Sequence, residues 1–213
     1  HGMRLGQTVL LCPTISPEDA ERLGQRLCAI GADPIDAPMS GGPVRAEQGA
    51  MSLMVACPDS VFEANQDLLQ VLANPVFRIS ERVGDGARTK LVNNLLAGIN
   101  LAGAAEVLAL AQRMGLDLTT TLNVMERSSG QSWIASDRMR RAIEGDYTPR
   151  AHMSLLQKDT RLAVEAAQRV GVTPLLGTQA SALFVQASAA GLSKEDDAAL
   201  FKHLVIASEA RRP

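Results

Sequence analysis

The pattern of apolar residues changes character once along the chain, close to Gly84. Before that point, short apolar runs alternate with helical patterns, which is the rhythm of an α/β fold. After Gly86 only helical periodicity is found, and it begins with a segment over about residues 87–114 that is apolar on nearly every side. The sequence therefore predicts a small α/β part over residues 1–83, a long connecting helix, and an all-helical domain within residues 84–213.

Short apolar runs are predicted as strands and longer periodic segments as helices. The strands are predicted at residues 8–12, 34–37, 51–56 and 76–79. Helices are predicted from Ser16 and at residues 59–72, 87–114, 118–127, 133–143, 153–170, 175–190 and 194–210. Ser16 followed by Pro17 and two acids marks the first helix start, because serine can cap an orphan amide and proline suits the first helical position.

The composition points to a globular protein without a polyanionic partner. The chain has 213 residues, is 46% apolar and carries a net charge of −2, with positive and negative residues interspersed. No basic stripe is therefore available for nucleic acid. The longest uncharged apolar run, residues 91–105, contains three asparagines and is shorter than a bilayer span. We predict neither a membrane segment nor a nucleic-acid partner.

The cysteine pattern favours a reducing compartment. The three cysteines are far apart and lack histidine neighbours: Cys12, Cys28 and Cys57. Such spacing argues against a disulfide framework and against a zinc site, so no metal is predicted. His1 and Gly2 before Met3 have the form of a cloning remnant, and no signal-peptide pattern follows them. A cytoplasmic location is expected.

A glycine-rich turn follows the second predicted strand, which is where open sheets place ligands. It reads Asp36-Ala-Pro-Met-Ser40-Gly41-Gly42. The two glycines permit positive φ and bare the backbone amides, so these amides and the Ser40 hydroxyl could hold a carboxylate. From these residues alone, an ordinary tight turn is the interpretation that the composition favours.

Lys90 and Asn94 are four residues apart near the start of the long predicted helix, so they project from one helical face. A lysine this close to a helix start is normally solvated. Residues 91–105 are otherwise almost entirely apolar, so Lys90 and Asn94 are predicted to be buried polar side chains. Burial of such groups is costly and therefore indicates a functional role. The preceding Gly84-Asp-Gly86-Ala-Arg-Thr89 is similar to a dinucleotide loop. We predict no nucleotide site there, because Thr89 replaces the third glycine and no strand follows the helix.

Two further features have ordinary explanations when each is taken alone. Lys158 and Asp159 are adjacent charges at the start of a predicted helix, as in many exposed helical turns. Trp133, the single tryptophan, follows a Ser-Ser-Gly-Gln-Ser segment. Packing in the core is the simplest explanation for an isolated tryptophan.

Taken together and in this order, three motifs resemble the signature of the 3-hydroxyisobutyrate dehydrogenase-like, or β-hydroxyacid dehydrogenase, family. They are Asp36-Ala-Pro-Met-Ser-Gly-Gly42, Gly84-x-Gly86-x-x-x-Lys90-x-x-x-Asn94 and Leu155-x-x-Lys158-Asp159. The resemblance covers nearly the whole chain. It implies the later part of a doubly wound Rossmann half, followed by a long interdomain helix and a helical domain like that of 6-phosphogluconate dehydrogenase.

The resemblance also implies hydride transfer between NAD or NADP and a small 2- or 3-hydroxy acid. It assigns Lys90 and Asn94 to catalysis, Ser40, Gly41, Gly42 and Trp133 to substrate binding, and Thr14, Lys158 and Asp159 to cofactor binding. In this scheme, neutral Lys90 takes the hydroxyl proton during oxidation, and its ammonium polarises the carbonyl during reduction. Burial would have to lower the pKa of Lys90 toward the working pH.

The chain departs from the family pattern in three ways. Ala151 stands where the family has a phenylalanine, which implies a larger or repositioned pocket floor, and Pro13 replaces a serine. The family's Gly-x-Gly-x-x-Gly loop and its strand are missing. We therefore expect a truncated chain that is inactive alone and binds NAD or NADP weakly or not at all, although the complete protein would bind it.

Two other functions remain open at this point. One is a non-catalytic remnant or self-association module that uses the helical domain. The other is an imine reductase-like enzyme, against which the presence of Lys90 argues. A homo-oligomer, dimer or tetramer, is the expected assembly, and a small hydroxy acid is the expected substrate of the dehydrogenase.

Overall fold

A mixed five-stranded sheet and ten α-helices make up residues 5–209, the part of the chain that the computed structural model describes. The strands are β1 (Thr8–Leu11), β2 (Asp33–Asp36), β3 (Met39–Ser40), β4 (Ser52–Ala56) and β5 (Val76–Ser80). The helices are α1 (Pro17–Ala29), α2 (Gly42–Glu47), α3 (Asp59–Ala64), α4 (Gln66–Leu72), α5 (Asp85–Arg113), α6 (Leu118–Glu126), α7 (Trp133–Ile143), α8 (Met153–Arg169), α9 (Leu175–Ala187) and α10 (Leu200–Glu209). The predicted fold class, an α/β part followed by helices, is confirmed.

The sheet has the strand order β1-β2-β4-β3, and β5 pairs with β4. The pairs β1–β2 and β4–β5 are parallel, whereas β4 runs antiparallel to β2 and to β3. The two-residue strand β3 was not predicted. It is too short to show an alternating pattern, and its pairing of Met39 with Leu53 and Ser40 with Ser52 depends on a distant segment.

The chain divides into two compact units, residues 1–93 and 94–213. The core of the first unit lies on the sheet and includes Ile35, Leu53, Val55 and Leu69, all nearly inaccessible to solvent. The core of the second unit is formed between helices, and its largest fully buried side chains are those of Leu101, Leu108, Leu122, Met139, Met153, Phe184 and Leu200. The predicted domain boundary at Gly84 falls just before α5, whose first two turns belong to the first unit.

Helix starts follow the local chemistry of the sequence. The Ser16 hydroxyl accepts a hydrogen bond from the Asp19 amide at 3.1 Å, which confirms the predicted cap of α1. Three predicted helix boundaries were wrong. The helix predicted at 59–72 breaks at Asn65, whose side chain donates to the Val61 carbonyl at 2.8 Å. The helix predicted at 194–210 begins only at Leu200, because buried Asp196 is extended and caps a short 3-10 turn.

The third wrong boundary is at the end of α9. This helix was predicted to reach residue 190 but gives way at Ala187 to a π turn, within which Gly191 has a φ of 94°. Two predictions lie outside the described residues: the last residue of the 194–210 helix, and the cloning remnant at His1 and Gly2.

The long helix α5 is only partly enclosed. Leu101, Ala105 and Leu108 are fully buried in the helical core. Large apolar side chains nevertheless remain exposed along the helix: Val92, Leu96, Val107 and Leu110. The apolar character found on nearly every side of α5 in the sequence is therefore buried on part of the helix and exposed on the rest. By length and composition α5 could cross a membrane, but half of its most apolar window is buried inside the protein, as in a core helix.

Candidate active site

The predicted carboxylate-binding turn is built from the end of β3 and the start of α2. Ser40 is half-buried in β3, and its carbonyl accepts a hydrogen bond from the Ser52 hydroxyl at 3.3 Å. Gly41 and Gly42 have backbone φ values of 142° and 70°, which residues other than glycine rarely adopt. Open space lies where a Gly42 side chain would be, so the backbone conformation, not crowding, requires glycine there. The segment thus places the Ser40 hydroxyl next to two glycines whose backbone is not covered by side chains of their own.

The glycine-rich turn before α5 is occupied by a side chain of the protein itself. The Asp36 carboxylate accepts hydrogen bonds from the backbone amides of Gly84 at 2.8 Å and Ala87 at 3.0 Å. Burial raises the pKa of Asp36, while the amides of Ala87, Gly84 and Gly86 act in the opposite direction. Amides that a dinucleotide phosphate would need are therefore already engaged, which gives a physical reason for predicting no nucleotide site in this turn.

A surface ion-pair network also holds the start of α5. Asp85 accepts hydrogen bonds from the Ser80 hydroxyl at 2.7 Å and from the guanidinium groups of Arg82 and Arg88, both at 2.8 Å. The hydrogen bond from Arg82 is the main reason that the pKa of Asp85 lies below its usual value. Arg88 in turn pairs with Glu21 of α1. The first turn of α5 is thus tied to β5 and α1.

Lys90 is buried, as its apolar sequence surroundings predict. The residue is 7% exposed and lies on α5 four residues before Asn94. A buried lysine costs free energy unless other groups stabilise its charge or it gives up its proton. This cost distinguishes Lys90 from an ordinary surface lysine.

In the helical unit, Asp159 joins two of the other predicted residues. Its Oδ2 accepts a hydrogen bond from Asn94 Nδ2 at 2.6 Å, and its Oδ1 lies 2.7 Å from Lys158 Nζ. Because an ionised carboxylate only accepts, this contact fixes which end of the Asn94 amide faces Asp159. Asp159 is 7% exposed, so the interpretation of Lys158 and Asp159 as a plain exposed turn is wrong for Asp159.

Gly98 makes the close approach of α5 and α8 possible, and this role was not predicted from the sequence. A side-chain carbon at Gly98 would lie 2.6 Å from Thr160 Cγ2 and 3.3 Å from the Phe184 ring. Thr160 directly follows Asp159, so the glycine allows the approach in which Asn94 reaches Asp159. The available signal was a glycine one turn after Asn94 inside a strongly apolar helix.

The remaining predicted residues are placed within their own elements. Thr14 follows β1 and is half-buried, in the segment that leads to α1. Trp133 is the first residue of α7, whose Ser132 cap accepts from the Ala135 amide at 3.2 Å. Trp133 is 51% exposed, so core packing does not explain it. Of the predicted site residues, Asn94, Lys158 and Asp159 are joined by the hydrogen bond and the ion pair of Asp159.

Two adjoining family descriptions match the chain. Residues 1–82 match the NAD binding domain of 6-phosphogluconate dehydrogenase. Residues 84–204 match the NAD-binding domain of NADP-dependent 3-hydroxyisobutyrate dehydrogenase. The two matches meet in the glycine-rich turn before α5.

Individual relatives agree with these matches. L-threonate dehydrogenase of Haemophilus influenzae is 36% identical over 200 residues, which cover 94% of this chain and 66% of that protein. The chain thus spans 66% of the length of this curated relative. The structure of a 3-hydroxyisobutyrate dehydrogenase from Salmonella typhimurium has a TM-score of 0.90 and 37% identity, covering 94% of this chain and 70% of that one. Psf3 in complex with NADP+ and 2-OPP has a TM-score of 0.87 and 30% identity, covering 95% and 70%.

Proposed function

The chain belongs to the 3-hydroxyisobutyrate dehydrogenase family of NAD(P)-dependent hydroxyacid dehydrogenases, and on this premise we propose that it carries the catalytic part of an enzyme that oxidises a small hydroxy acid. The observation that carries the proposal is Lys90, a lysine 7% exposed in an otherwise apolar stretch of helix. Lysines shielded from water change protonation state more readily than exposed ones, which suits a general acid–base.

The reaction removes a hydride from the carbinol carbon and a proton from its hydroxyl. NAD or NADP, when bound, accepts the hydride at its nicotinamide ring. Neutral Lys90 takes the hydroxyl proton, and its ammonium stabilises the oxygen in the reverse direction. Asn94 lies one helical turn after Lys90, and its amide nitrogen donates to Asp159 at 2.6 Å, which holds the side chain so that it would orient the reacting groups.

Substrate binding is assigned to the β3 turn and to Trp133. The Ser40 hydroxyl and the backbone of Gly41 and Gly42 would hold the carboxylate. The half-exposed Trp133 ring would supply apolar contact with the rest of the substrate. We propose a four-carbon hydroxy acid such as L-threonate, which is supported by the 36% identity to an L-threonate dehydrogenase. The small Ala151, at a position where the family has a phenylalanine, agrees with a substrate that needs more room.

We assign Thr14 to the nicotinamide end of the cofactor. Thr14 follows the carboxyl end of β1, which runs parallel to β2, and such strand ends are where open sheets place cofactors. The resemblance assigns Lys158 and Asp159 to cofactor binding as well. Because the amides of the glycine-rich turn bind Asp36, we propose that the cofactor pyrophosphate is bound by residues outside this chain. The chain alone would then be inactive. We also propose a cytoplasmic location for the complete protein.

The alternatives have less support. The exposed apolar residues of α5 would suit a self-association module, but such a module has no need of a buried lysine. An imine reductase-like activity is disfavoured because Lys90 is present.

The proposal is tested with the complete protein by following NAD(P)H formation with L-threonate, 3-hydroxyisobutyrate and 2-(hydroxymethyl)glutarate as substrates. We expect turnover to be highest with L-threonate. A folded complete protein that binds the cofactor but oxidises none of the three would contradict the dehydrogenase function. A clear preference for another hydroxy acid would correct the substrate and leave the reaction type in place.

A further inference from the structure

The glycine-rich turn before α5 encloses a buried carboxylate. Asp36 is the last residue of β2 and is 2% exposed. Its Oδ2 accepts hydrogen bonds from two amides that precede and open the helix, those of Gly84 and Ala87. Free amides at a helix start attract anions. Here the anion is supplied by the chain, from 48 residues upstream of Gly84.

Both glycines of the turn are needed for this close packing. Gly84 has a φ of +103°, in the left-handed region that favours glycine. A side-chain carbon at Gly86 would lie 2.7 Å from the Met54 carbonyl oxygen and 2.9 Å from the Asp36 carbonyl oxygen. Those atoms belong to β4 and β2. The turn is therefore pressed directly onto two strands, where no side chain fits.

Asp36 stands between two parts of the proposed site within the first unit. It precedes Ser40 by four residues, and the turn that it binds precedes Lys90 by only a few. Ser40 has a separate attachment, because β3 pairs with β4 and its carbonyl accepts from Ser52. Without the Asp36 carboxylate, the start of α5 would depend on the surface ion-pair network of Asp85 and Arg88. Lys90 would therefore shift more than Ser40.

We propose that Asp36 is a positioning residue of the hydride-transfer reaction, whose carboxylate clamps the start of α5 onto the end of β2 and thereby places Lys90 relative to the Ser40–Gly42 turn. This inference rests on the proposed function of Lys90 and Ser40. It gives the Asp36 side chain a role of its own, separate from carboxylate binding by the turn that follows it. A small displacement of a catalytic group is enough to slow a reaction strongly.

The first test compares Asp36→Asn with Asp117→Asn in the complete protein. Asp117 caps α6 by accepting from the Thr120 amide at 2.7 Å, so the control also removes a capping carboxylate. In Asp36→Asn we expect kcat to fall ~10–100-fold. KM for the hydroxy acid and KM for the cofactor should stay within about threefold of wild type, because the interaction matters mainly in the transition state. Asp117→Asn should keep the wild-type kcat.

The second test displaces the turn without removing the carboxylate. Gly86→Ala would push the turn away from Met54 and Asp36, whereas Gly103→Ala places the same methyl group in open space on the same helix. We expect Gly86→Ala to lower kcat in the manner of Asp36→Asn, and Gly103→Ala to be without effect. This pair keeps the inference testable if Asp36→Asn does not fold.

A third readout needs no activity. Amide hydrogen exchange at Gly84 and Ala87 in the 213-residue chain should be at least about tenfold faster in Asp36→Asn than in wild type, because both amides exchange a charged acceptor for the weaker, neutral amide oxygen of asparagine. Unchanged exchange, an unchanged kcat, or an equal loss of kcat in Asp117→Asn would overturn the positioning role. If the wild-type complete protein oxidises no hydroxy acid, the proposed function fails, and hydrogen exchange still decides whether the clamp exists.

Discussion

Lys90 is the residue on which the proposed chemistry depends. We predict that Lys90→Ala in the complete protein lowers kcat by ~100-fold or more, since it removes the group that takes and returns the hydroxyl proton. Cofactor affinity should stay near the wild-type value, because Lys90 is assigned to the reacting oxygen only. Steady-state kinetics and cofactor titration measure both quantities.

Lys90→Arg is the matched control for charge. Arginine keeps the positive charge but does not give up its proton, so it should not rescue turnover. If Lys90→Ala retained even a tenth of the wild-type kcat, Lys90 would have no place in the catalytic step.

Some of these site residues could be predicted from the sequence and others could not. Lys90 was identifiable because its charge interrupts a locally apolar helix, which is information carried by its neighbours in sequence. Asp36 as a clamp was not identifiable, since its role depends on residues 48 or more positions away. Gly98 was marked only by its place in an apolar helix, and its contact with Thr160 could not be predicted from that. Trp133 has an exposure that its local sequence does not determine.

At the level of elements, the buried carboxylate of Asp196 organises the loop between α7 and α8. It accepts hydrogen bonds from the backbone amides of Arg150, Ala151 and Ala198 and from the Arg141 guanidinium, at distances of 2.8, 3.2, 3.0 and 2.9 Å. Burial by itself would raise the pKa of Asp196, but these donors hold it below its usual value. The ionised form is therefore the one that stabilises the helical unit.

We predict from this that Asp196→Asn destabilises the protein by about 2–4 kcal/mol at neutral pH, because a buried charge-assisted network is broken. A carboxylate with a lowered folded pKa stabilises above its unfolded pKa, and this contribution is lost as the pH falls through the folded pKa. The difference between variant and wild type should accordingly shrink in acid. Denaturant unfolding at a series of pH values measures it.

Asp146→Asn provides the comparison for Asp196→Asn, because Asp146 lies on the surface and accepts from the Thr148 amide at 3.0 Å. It should have a much smaller effect. A difference between Asp196→Asn and wild type that stayed constant down to acid pH would show that ionisation of Asp196 does not stabilise the fold.

Elements were predictable wherever a long periodic pattern set them. Helix α7 has the predicted bounds, Trp133–Ile143, and α5 begins and ends within two residues of its prediction. The errors at Asn65 and Asp196 have a common cause, since both side chains bind backbone groups that a continuing helix would use. Hydrophobic periodicity does not register such local competition.

At the scale of the whole molecule, the first question is cofactor binding by the chain as it stands. We predict weak or undetectable binding of NAD and NADP to the 213-residue chain, because the amides before α5 are engaged by Asp36 and the pyrophosphate would need another helix start. Calorimetry with each dinucleotide measures this. Micromolar affinity for either one would show that the pyrophosphate site lies within this chain.

Assembly is the second question at this scale. Within residues 5–209, β1 pairs with β2 alone, so one edge of β1 is open to another strand. Helix α5 adds an exposed apolar surface through Val107 and Leu110. We predict a homo-oligomer, most simply a two-fold dimer that buries this part of α5.

Light scattering of the purified chain gives the mass that tests this assembly. Substitution of Val107 and Leu110 by serine should shift the mass toward the monomer, while serine at exposed Val71 of the first unit should not. A clean monomer at tens of micromolar, without binding of dyes that report exposed apolar surface, would contradict both the strand-edge and the helix-surface arguments.

The carboxylate held in the turn before α5 also bears on how such turns are recognised. A glycine-rich turn before a helix indicates that an anion can bind there. It does not indicate whether that anion comes from solution or from the same polypeptide chain. In this protein the bound anion is the Asp36 carboxylate, which is part of the chain. Its local concentration therefore does not fall on dilution, and free phosphate competes with it poorly. Motif searches that equate this pattern with nucleotide binding will therefore misassign turns whose ligand is encoded in the same chain.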